Sequence, residues 1–267
     1  MLNYNIMNIV LGLGENFDRR LTFGEEEKNN SVARVMEMKN DHIIGYISLE
    51  KEGSDKVEIS QTNRLEPLIP ITSKTSNLTR FVMVISGESG TGKSALSSMF
   101  AKQYITAYNN KRKIIRVSQK PISVDRNYKL LKDYIIDLRP NELSDITVDA
   151  FATFGDCLFI FDDVDDIKDC YRVIDIIACV GREYGISLIW ITHDNSKLNK
   201  CRCFKELQYY ITFKSNFNIN NRMLYQNLSL TKKQIIELSA LKQTMYMIDK
   251  PNGLIITERY IIKRSML

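Results

Sequence analysis

The rhythm of apolar and polar positions changes near residue 80. Before it, polar and charged stretches surround one alternating segment at residues 42–50, which predicts a β-strand. Residues 56–60 are expected to pair with that strand across a turn at 52–55, in a small β-hairpin or β-meander. A connector rich in Pro, Ser and Thr follows at 65–77. The pattern thus predicts a small β-rich leader at 1–75 and a second domain at 76–267.

Beyond residue 80, short apolar runs alternate with segments of helical spacing. Strands are predicted at 81–86, 113–117, 157–161, 187–192 and 209–214, and helices at 94–109, 168–184 and 230–241. Ser229 or Thr231 is expected to cap the last helix. A closing hairpin joins 244–248 to 254–258, whereas 127–138 fits no single pattern. Such alternation favours an α/β fold with a central, mainly parallel sheet.

Composition narrows the class of protein. The chain is 44% hydrophobic and 26% charged with only 12 Gly and 5 Pro, which excludes collagen-like and wholly disordered chains. No apolar run approaches the roughly 20 residues of a membrane-spanning helix. Five Cys without a CxxC pair and only two His argue against a disulfide framework or a structural zinc site. The first residues lack the pattern of a secretory signal, so we expect a reducing compartment.

The strongest motif begins at Gly87 and ends at Ser94. It reads Gly87-Glu88-Ser89-Gly90-Thr91-Gly92-Lys93-Ser94 and fits G-x-x-x-x-G-K-[ST] at every fixed position. An apolar strand precedes it and a helix follows, which is the context that a phosphate-binding loop requires. Backbone N–H groups and the helix N-terminus would hold the phosphates. We assign these residues and Ala95 to nucleotide binding, with Lys93 on the β- and γ-phosphates and Ser94 on Mg²⁺.

A second motif places two carboxylates after a buried strand. Residues 157–161 are apolar and lead into Asp162 and Asp163, a Walker B arrangement. Asp162 is predicted to hold Mg²⁺ through water, and Asp163 to orient or deprotonate the attacking water. Asp165 and Asp166 are interpreted as loop or helix-capping residues.

The order of the strands adds a third candidate. A strand follows the acidic one and ends at Thr192-His193, and ligands of such sheets lie at the carboxyl ends of strands. In P-loop ATPases with an additional central strand, the ASCE type, this tip carries a polar sensor of the γ-phosphate. His193 is therefore a candidate sensor, or else an ordinary loop histidine. The guanine-reading pattern fails at Arg202, so ATP is favoured over GTP.

Together, residues 81–94, 157–166 and 181–193 resemble the genome-packaging ATPases of the FtsK–HerA superfamily, in the branch of the poxvirus-type enzymes. The likeness includes the string Phe161-Asp162-Asp163-Val164 and the pair Gly181-Arg182. Glu183 replaces the usual His of that family, and His193 stands where a sensor Gln is typical. The resemblance covers roughly residues 80–215.

This resemblance implies an ATP-driven ring that moves double-stranded DNA into a preformed capsid. It implies a capsid or portal-vertex partner, and work in the host cytoplasm or viral factory or in association with the virion. It also implies an arginine finger, for which Arg182 matches the family position. Arg172 and Arg202 are alternatives, and Arg182 is as readily a structural ion pair.

Charge is unevenly distributed. The net charge is +5, but residues 197–267 hold 13 Lys or Arg against 4 Asp or Glu, which gives +9 there and −4 elsewhere. Such a basic quarter suits a polyanion, although it is equally a solvated face. The candidates for DNA contact follow the sensor strand, where the loop could reach a ring's pore: Lys197, Lys200, Arg202 and Lys205.

Two other functions compete with a DNA motor. A P-loop switch would control a partner protein through its nucleotide state, with residues 1–75 as the binding module. A degenerate nucleotide-binding protein with a structural role is disfavoured, because Lys93, Ser94, Asp162 and Asp163 are all present.

Overall fold

A computed structural model of the chain describes the backbone of six strands between residues 9 and 67. It also describes residues 80–108, 111–193, 201–217, 224–225, 230–240, 244–250, 254–257 and 260–263.

The N-terminal region forms an antiparallel sheet of five strands. Their order is β4-β3-β2-β1-β6, with bounds Ile9–Leu13 (β1), Arg19–Phe23 (β2), Ser31–Glu37 (β3), Ile43–Ser48 (β4) and Glu66–Pro67 (β6). The predicted hairpin partner of β4 is wrong, since β4 pairs with β3. Lys56–Glu58 (β5) instead pairs with Tyr260–Lys263 (β15) in a second sheet. An alternating pattern predicts a strand, but it does not specify which edge the strand joins.

The second sheet has ten strands in the order β5-β15-β14-β13-β12-β7-β11-β10-β8-β9. Its parallel part comprises Val82–Ser86 (β7), Lys113–Ser118 (β8), Ile135–Leu138 (β9), Cys157–Asp162 (β10), Ser187–Thr192 (β11) and Tyr209–Phe213 (β12). Met245–Asp249 (β13) and Leu254–Ile256 (β14) form the predicted closing hairpin. Because β11 lies between β7 and β10, the predicted fold of the additional-strand P-loop type is confirmed.

Helices cover both faces of this sheet. They are Lys93–Ala107 (α1), Ala150–Phe154 (α2), Lys168–Val180 (α3) and Lys232–Ala240 (α4). One apolar core packs α1 against the sheet, and the other packs α2, α3 and α4 against the opposite face. In the part of the chain that the structure describes, no helix is long and apolar enough to cross a membrane.

The ends of two helices have clear causes. Arg80 donates to the carbonyls of Ile177 (3.1 Å) and Ala178 (2.8 Å) in the last turn of α3. Because these carbonyls are satisfied, the helix ends at Val180, before the predicted end at 184. At α4, the Gln234 N–H donates to Thr231 Oγ1, and the Thr231 N–H donates to Gln234 Oε1. Of the two predicted caps, Ser229 and Thr231, it is Thr231 that caps the helix.

Candidate nucleotide-binding site

The loop after β7 is shaped by its glycines. Gly90 and Gly92 have φ of +80° and +94°, values that residues with a Cβ rarely adopt. A Cβ on Gly87 would stand 2.8 Å from both Thr91 Oγ1 and the Phe213 ring. The loop therefore curls tightly at the carboxyl end of β7 and leads directly into α1 at Lys93.

Lys93 is held inside this loop. Its side chain donates to the carbonyls of Gly87 and Glu88, both at 2.8 Å, and its Nζ lies 3.1 Å from His193 Nδ1. Burial lowers the pKa of the Lys93 ammonium, and the charges of neighbouring carboxylates, Asp163 first, oppose that shift. The three donors of the ammonium are thus all engaged with groups around the loop.

Ser94 and Asp162 meet across the end of the sheet. The Ser94 hydroxyl donates to Asp162 Oδ1 at 3.1 Å, and Asp162 is only 2% exposed. Burial and then the charge of Asp163 raise the pKa of the Asp162 carboxyl to about 6, against the effects of Arg116 and Ser94. A buried carboxylate beside a hydroxyl supplies the hard oxygen ligands that Mg²⁺ prefers, so the predicted metal residues fit that ion.

The Ser94 hydroxyl and the Asp162 carboxylate would be only part of the coordination sphere of a metal that also binds phosphate. The described residues contain no cluster of three or more His, Cys, Asp and Glu side chains arranged for a metal. Mg²⁺ in nucleotide sites usually relies on one or two protein ligands, water and substrate phosphates.

His193 joins Lys93 to Asp163. Its Nε2 lies 3.0 Å from Asp163 Oδ1. An ammonium only donates, so we assign Nδ1 as the acceptor from Lys93 and the Nε2–H as the donor to Asp163. The His193 N–H donates to Asp165 Oδ2 at 2.7 Å, which fixes the tip of β11 beside the acidic strand.

Asp163 also has an unusual backbone. Its φ is +56°, in the left-handed region that Asp and Asn tolerate better than most residues. This turn directs its carboxylate away from the strand, and the side chain is 62% exposed. The structure thus brings together Lys93, Ser94, Asp162, Asp163 and His193, while their catalytic roles stay predictions.

Arg182 lies at the amino ends of the parallel strands, on the side of the sheet away from the loop at 87–94. It precedes β11 and, with Arg80, Lys205 and Gln208, lines a cavity of about 570 Å³ at the amino ends of the parallel strands. Its Nη2 lies 3.2 Å from Glu206 Oε2, yet its side chain is 69% exposed. Arg182 cannot therefore reach the phosphate loop of its own subunit, and a role as finger would have to be played in a neighbour.

Of the four residues predicted to contact DNA, the structure describes two. Lys197 and Lys200 lie outside the described residues, and Arg202 is exposed. Lys205 lines the cavity at the amino edge because the chain must cross the sheet before β12 starts parallel to β7. Its contact with DNA stays a prediction.

Arg116 is a residue that the sequence analysis missed. It lies on β8 with its side chain fully buried, 2.6 Å from Asp125, 2.9 Å from Asp137 and 3.7 Å from Asp162. Its guanidinium also stacks over the Tyr128 ring at 4.7 Å. The signal was available in the sequence, since an arginine interrupts an apolar strand and two aspartates follow it.

Replacing Arg116 by methionine is expected to lower the free energy of unfolding by about 3–5 kcal/mol, because buried carboxylates lose their counter-ion. Denaturant unfolding measures the loss. Arg139 also pairs with Asp137 but is 31% exposed, so Arg139→Met is the matched control and should cost less. Equal losses in the two variants would contradict a central role for Arg116.

Comparison with known proteins gives matches of structure only. No family model and no curated protein matches the chain. The DNA-packaging ATPase of Sulfolobus turreted icosahedral virus is similar at 16% identity and a TM-score of 0.49, over 67% of this chain and 96% of that one.

Two structures of the genome-packaging NTPase of Sulfolobus turreted icosahedral virus 2 also match over 67% of this chain. The complex with ATP-gammaS has 14% identity, a TM-score of 0.48 and 96% of its own length covered. The complex with AMPPCP has 15% identity, a TM-score of 0.45 and 97% covered.

Proposed function

We propose that the chain is a Mg²⁺-dependent ATPase that works as an oligomeric ring and translocates double-stranded DNA. The observation that supports hydrolysis most strongly is the continuous contact from Lys93 through His193 to Asp163, beside the Ser94–Asp162 pair. It joins three candidates at the carboxyl ends of the strands: a cation for the phosphates, a pair for the metal and a base.

Nucleotide binding would begin with the phosphates against the N–H groups of residues 87–94 and the start of α1. The phosphate oxygens would compete with the Gly87 and Glu88 carbonyls for the Lys93 ammonium. A doubly charged phosphate is the stronger acceptor, so Lys93 would turn toward it. This exchange frees His193 Nδ1.

Asp162 and Ser94 would hold Mg²⁺, which neutralises developing charge on the phosphates when it is bound. The Asp163 carboxylate is exposed enough to accept a proton from water. His193 would keep that carboxylate oriented through its Nε2–H. Once released by Lys93, the same ring could contact the γ-phosphate, as the sensor hypothesis requires.

Translocation of DNA is supported by the resemblance of the motifs to packaging ATPases and by the basic balance of residues 197–267. We infer that the DNA enters a preformed viral capsid, with a capsid or portal-vertex protein as partner. The work would take place in the host cytoplasm or viral factory, or on the virion.

Hydrolysis of ATP with and without double-stranded DNA tests the proposal. We expect DNA of any sequence to raise the rate severalfold, and Mg²⁺ to be essential. A hydrolysis rate that is the same with and without DNA would contradict the DNA-translocating motor. It would favour the P-loop switch, in which a protein partner should change the hydrolysis rate.

Arg182→Ala is expected to bind ATP normally and to hydrolyse it about 10³-fold more slowly, because a finger acts only on the neighbour's phosphates. In mixed rings the variant should reduce activity more than its fraction predicts. The exposed Lys232, replaced by alanine, is the control for the loss of one positive charge. A loss strictly proportional to the fraction of Arg182→Ala subunits would assign Arg182 a role within its own subunit.

A further inference from the structure

The connection between β8 and β9 presents a cluster of cations to solvent. Lys120, Arg126, Lys129 and Lys132 are all exposed, and Asp133 is the one exposed acid between residues 119 and 134. None of the four cations forms a salt bridge with a carboxylate of the described residues. We call these four residues the basic surface.

Two aspartates close to these cations are turned inward. Asp125 of the connection is 3% exposed and binds the buried guanidinium of Arg116, as does Asp137 on β9. Asp125 is thus paired with Arg116, and Asp137 with Arg116 and Arg139, rather than with any of the four cations. The sequence of this segment is mixed in sign, but its outer face is strongly positive.

This segment is also held in a defined shape. The Asn127 N–H donates to Asp125 Oδ1 and the Ile122 N–H donates to Asp137 Oδ2, both at 2.9 Å. Tyr128 is fully buried under the segment and packs against Arg116. The cations are thus carried by an anchored scaffold, which lowers the entropy lost when they bind a ligand.

The basic surface starts beside the nucleotide site. Ser118, two residues before Lys120, pairs in register with Asp162. Arg116 itself lies 3.7 Å from Asp162, so one guanidinium contacts both the carboxylate predicted to hold Mg²⁺ and the anchors of the surface. A ligand on this surface is therefore linked to the nucleotide site by direct contacts.

We propose that Lys120, Arg126, Lys129 and Lys132 form a contact surface for the phosphate backbone of double-stranded DNA. The inference rests on the proposed function and places a DNA contact outside the loop at 197–205. Four cations without a fixed carboxylate partner suit phosphates, which need charge and no base sequence.

Apolar side chains stand among these cations, and they define the competing occupant. Val124 is 61% exposed and Leu130 is 89% exposed. If the segment were a contact between copies of the chain, these two apolar side chains would stabilise that contact and the four cations would contribute little to it.

The test compares three variants of the full chain by DNA affinity over a range of salt. The first changes Lys120, Arg126, Lys129 and Lys132 to Gln. The matched control changes four exposed cations outside residues 197–267 to Gln, Lys102, Lys111, Lys113 and Lys168, so net charge falls equally. The third variant is Val124→Ser with Leu130→Ser.

We expect the first variant to bind DNA about tenfold or more weakly at moderate salt. Its slope of log K against log salt should flatten by about 0.9 for each lost phosphate contact. The control and the apolar variant should keep the wild-type slope. If the fourfold variant does not fold, Lys129→Gln alone should flatten the slope by about 0.9.

An unchanged slope in the basic-surface variant, with wild type binding DNA, would overturn this surface and leave the proposed function standing. Loss of both assembly and DNA binding in the apolar variant alone would identify a contact between copies and also overturn it. A wild-type chain that binds no DNA would overturn the proposed function itself.

Discussion

Replacing Lys93 by alanine is expected to weaken ATP binding by about a hundredfold or more. Lys93 is 5% exposed and its ammonium is already directed into the loop that would surround the phosphates. Two hydrogen bonds from a charged group to the β- and γ-phosphates would be lost, each contributing about 1.5–3 kcal/mol.

Titration with a fluorescent ATP analogue measures this effect. Lys102 is an exposed lysine on the same helix, so Lys102→Ala controls for the loss of one positive charge. The control should bind like wild type. Tight ATP binding by Lys93→Ala would show that the loop at 87–94 is not the nucleotide site.

Replacing Asp163 by asparagine is expected to leave ATP binding intact and to slow turnover by about 10³-fold. An amide cannot accept the proton of the attacking water, and general-base catalysis typically contributes about 10²–10⁴-fold. Asparagine tolerates the left-handed backbone at this position, so the local structure should survive. Its side chain can still accept the hydrogen bond from His193.

Single-turnover hydrolysis and binding, measured on the same variant, separate the two effects. Asp166→Asn removes a neighbouring exposed carboxylate and should retain near-normal turnover. Near-normal turnover in Asp163→Asn would move the base elsewhere, with Asp165 the next candidate.

The features that the sequence predicted well are local. The phosphate loop, the acidic strand and their flanking strands are each specified by fewer than about a dozen consecutive residues, since apolar runs and glycines at fixed spacing determine them. The predicted helix at 94–109 corresponds to Lys93–Ala107, and the predicted cap Thr231 forms both bonds of its capping box. The fold type followed from the motifs, because each one marks a particular strand.

The features that it missed depend on contacts between distant segments. Residues 127–138 fitted no single pattern because they combine a 3-10 turn at Lys129–Leu131 with the edge strand β9. The pairing of β5 with β15 joins residues about 200 positions apart, which periodicity does not encode. An arginine in an apolar strand marks Arg116 as unusual, but its partners Asp125, Asp137 and Asp162 come from separate segments that only the fold brings together.

Movement along DNA is the central claim, and displacement of a labelled third strand from a DNA triplex tests it most directly. A ring that translocates on the duplex should release the third strand at a rate that depends on ATP and on the length of DNA before the triplex. Asp163→Asn, which should bind ATP without turnover, should release none. Release by wild type that is independent of ATP, or its absence under conditions of rapid hydrolysis, would contradict a DNA-translocating motor.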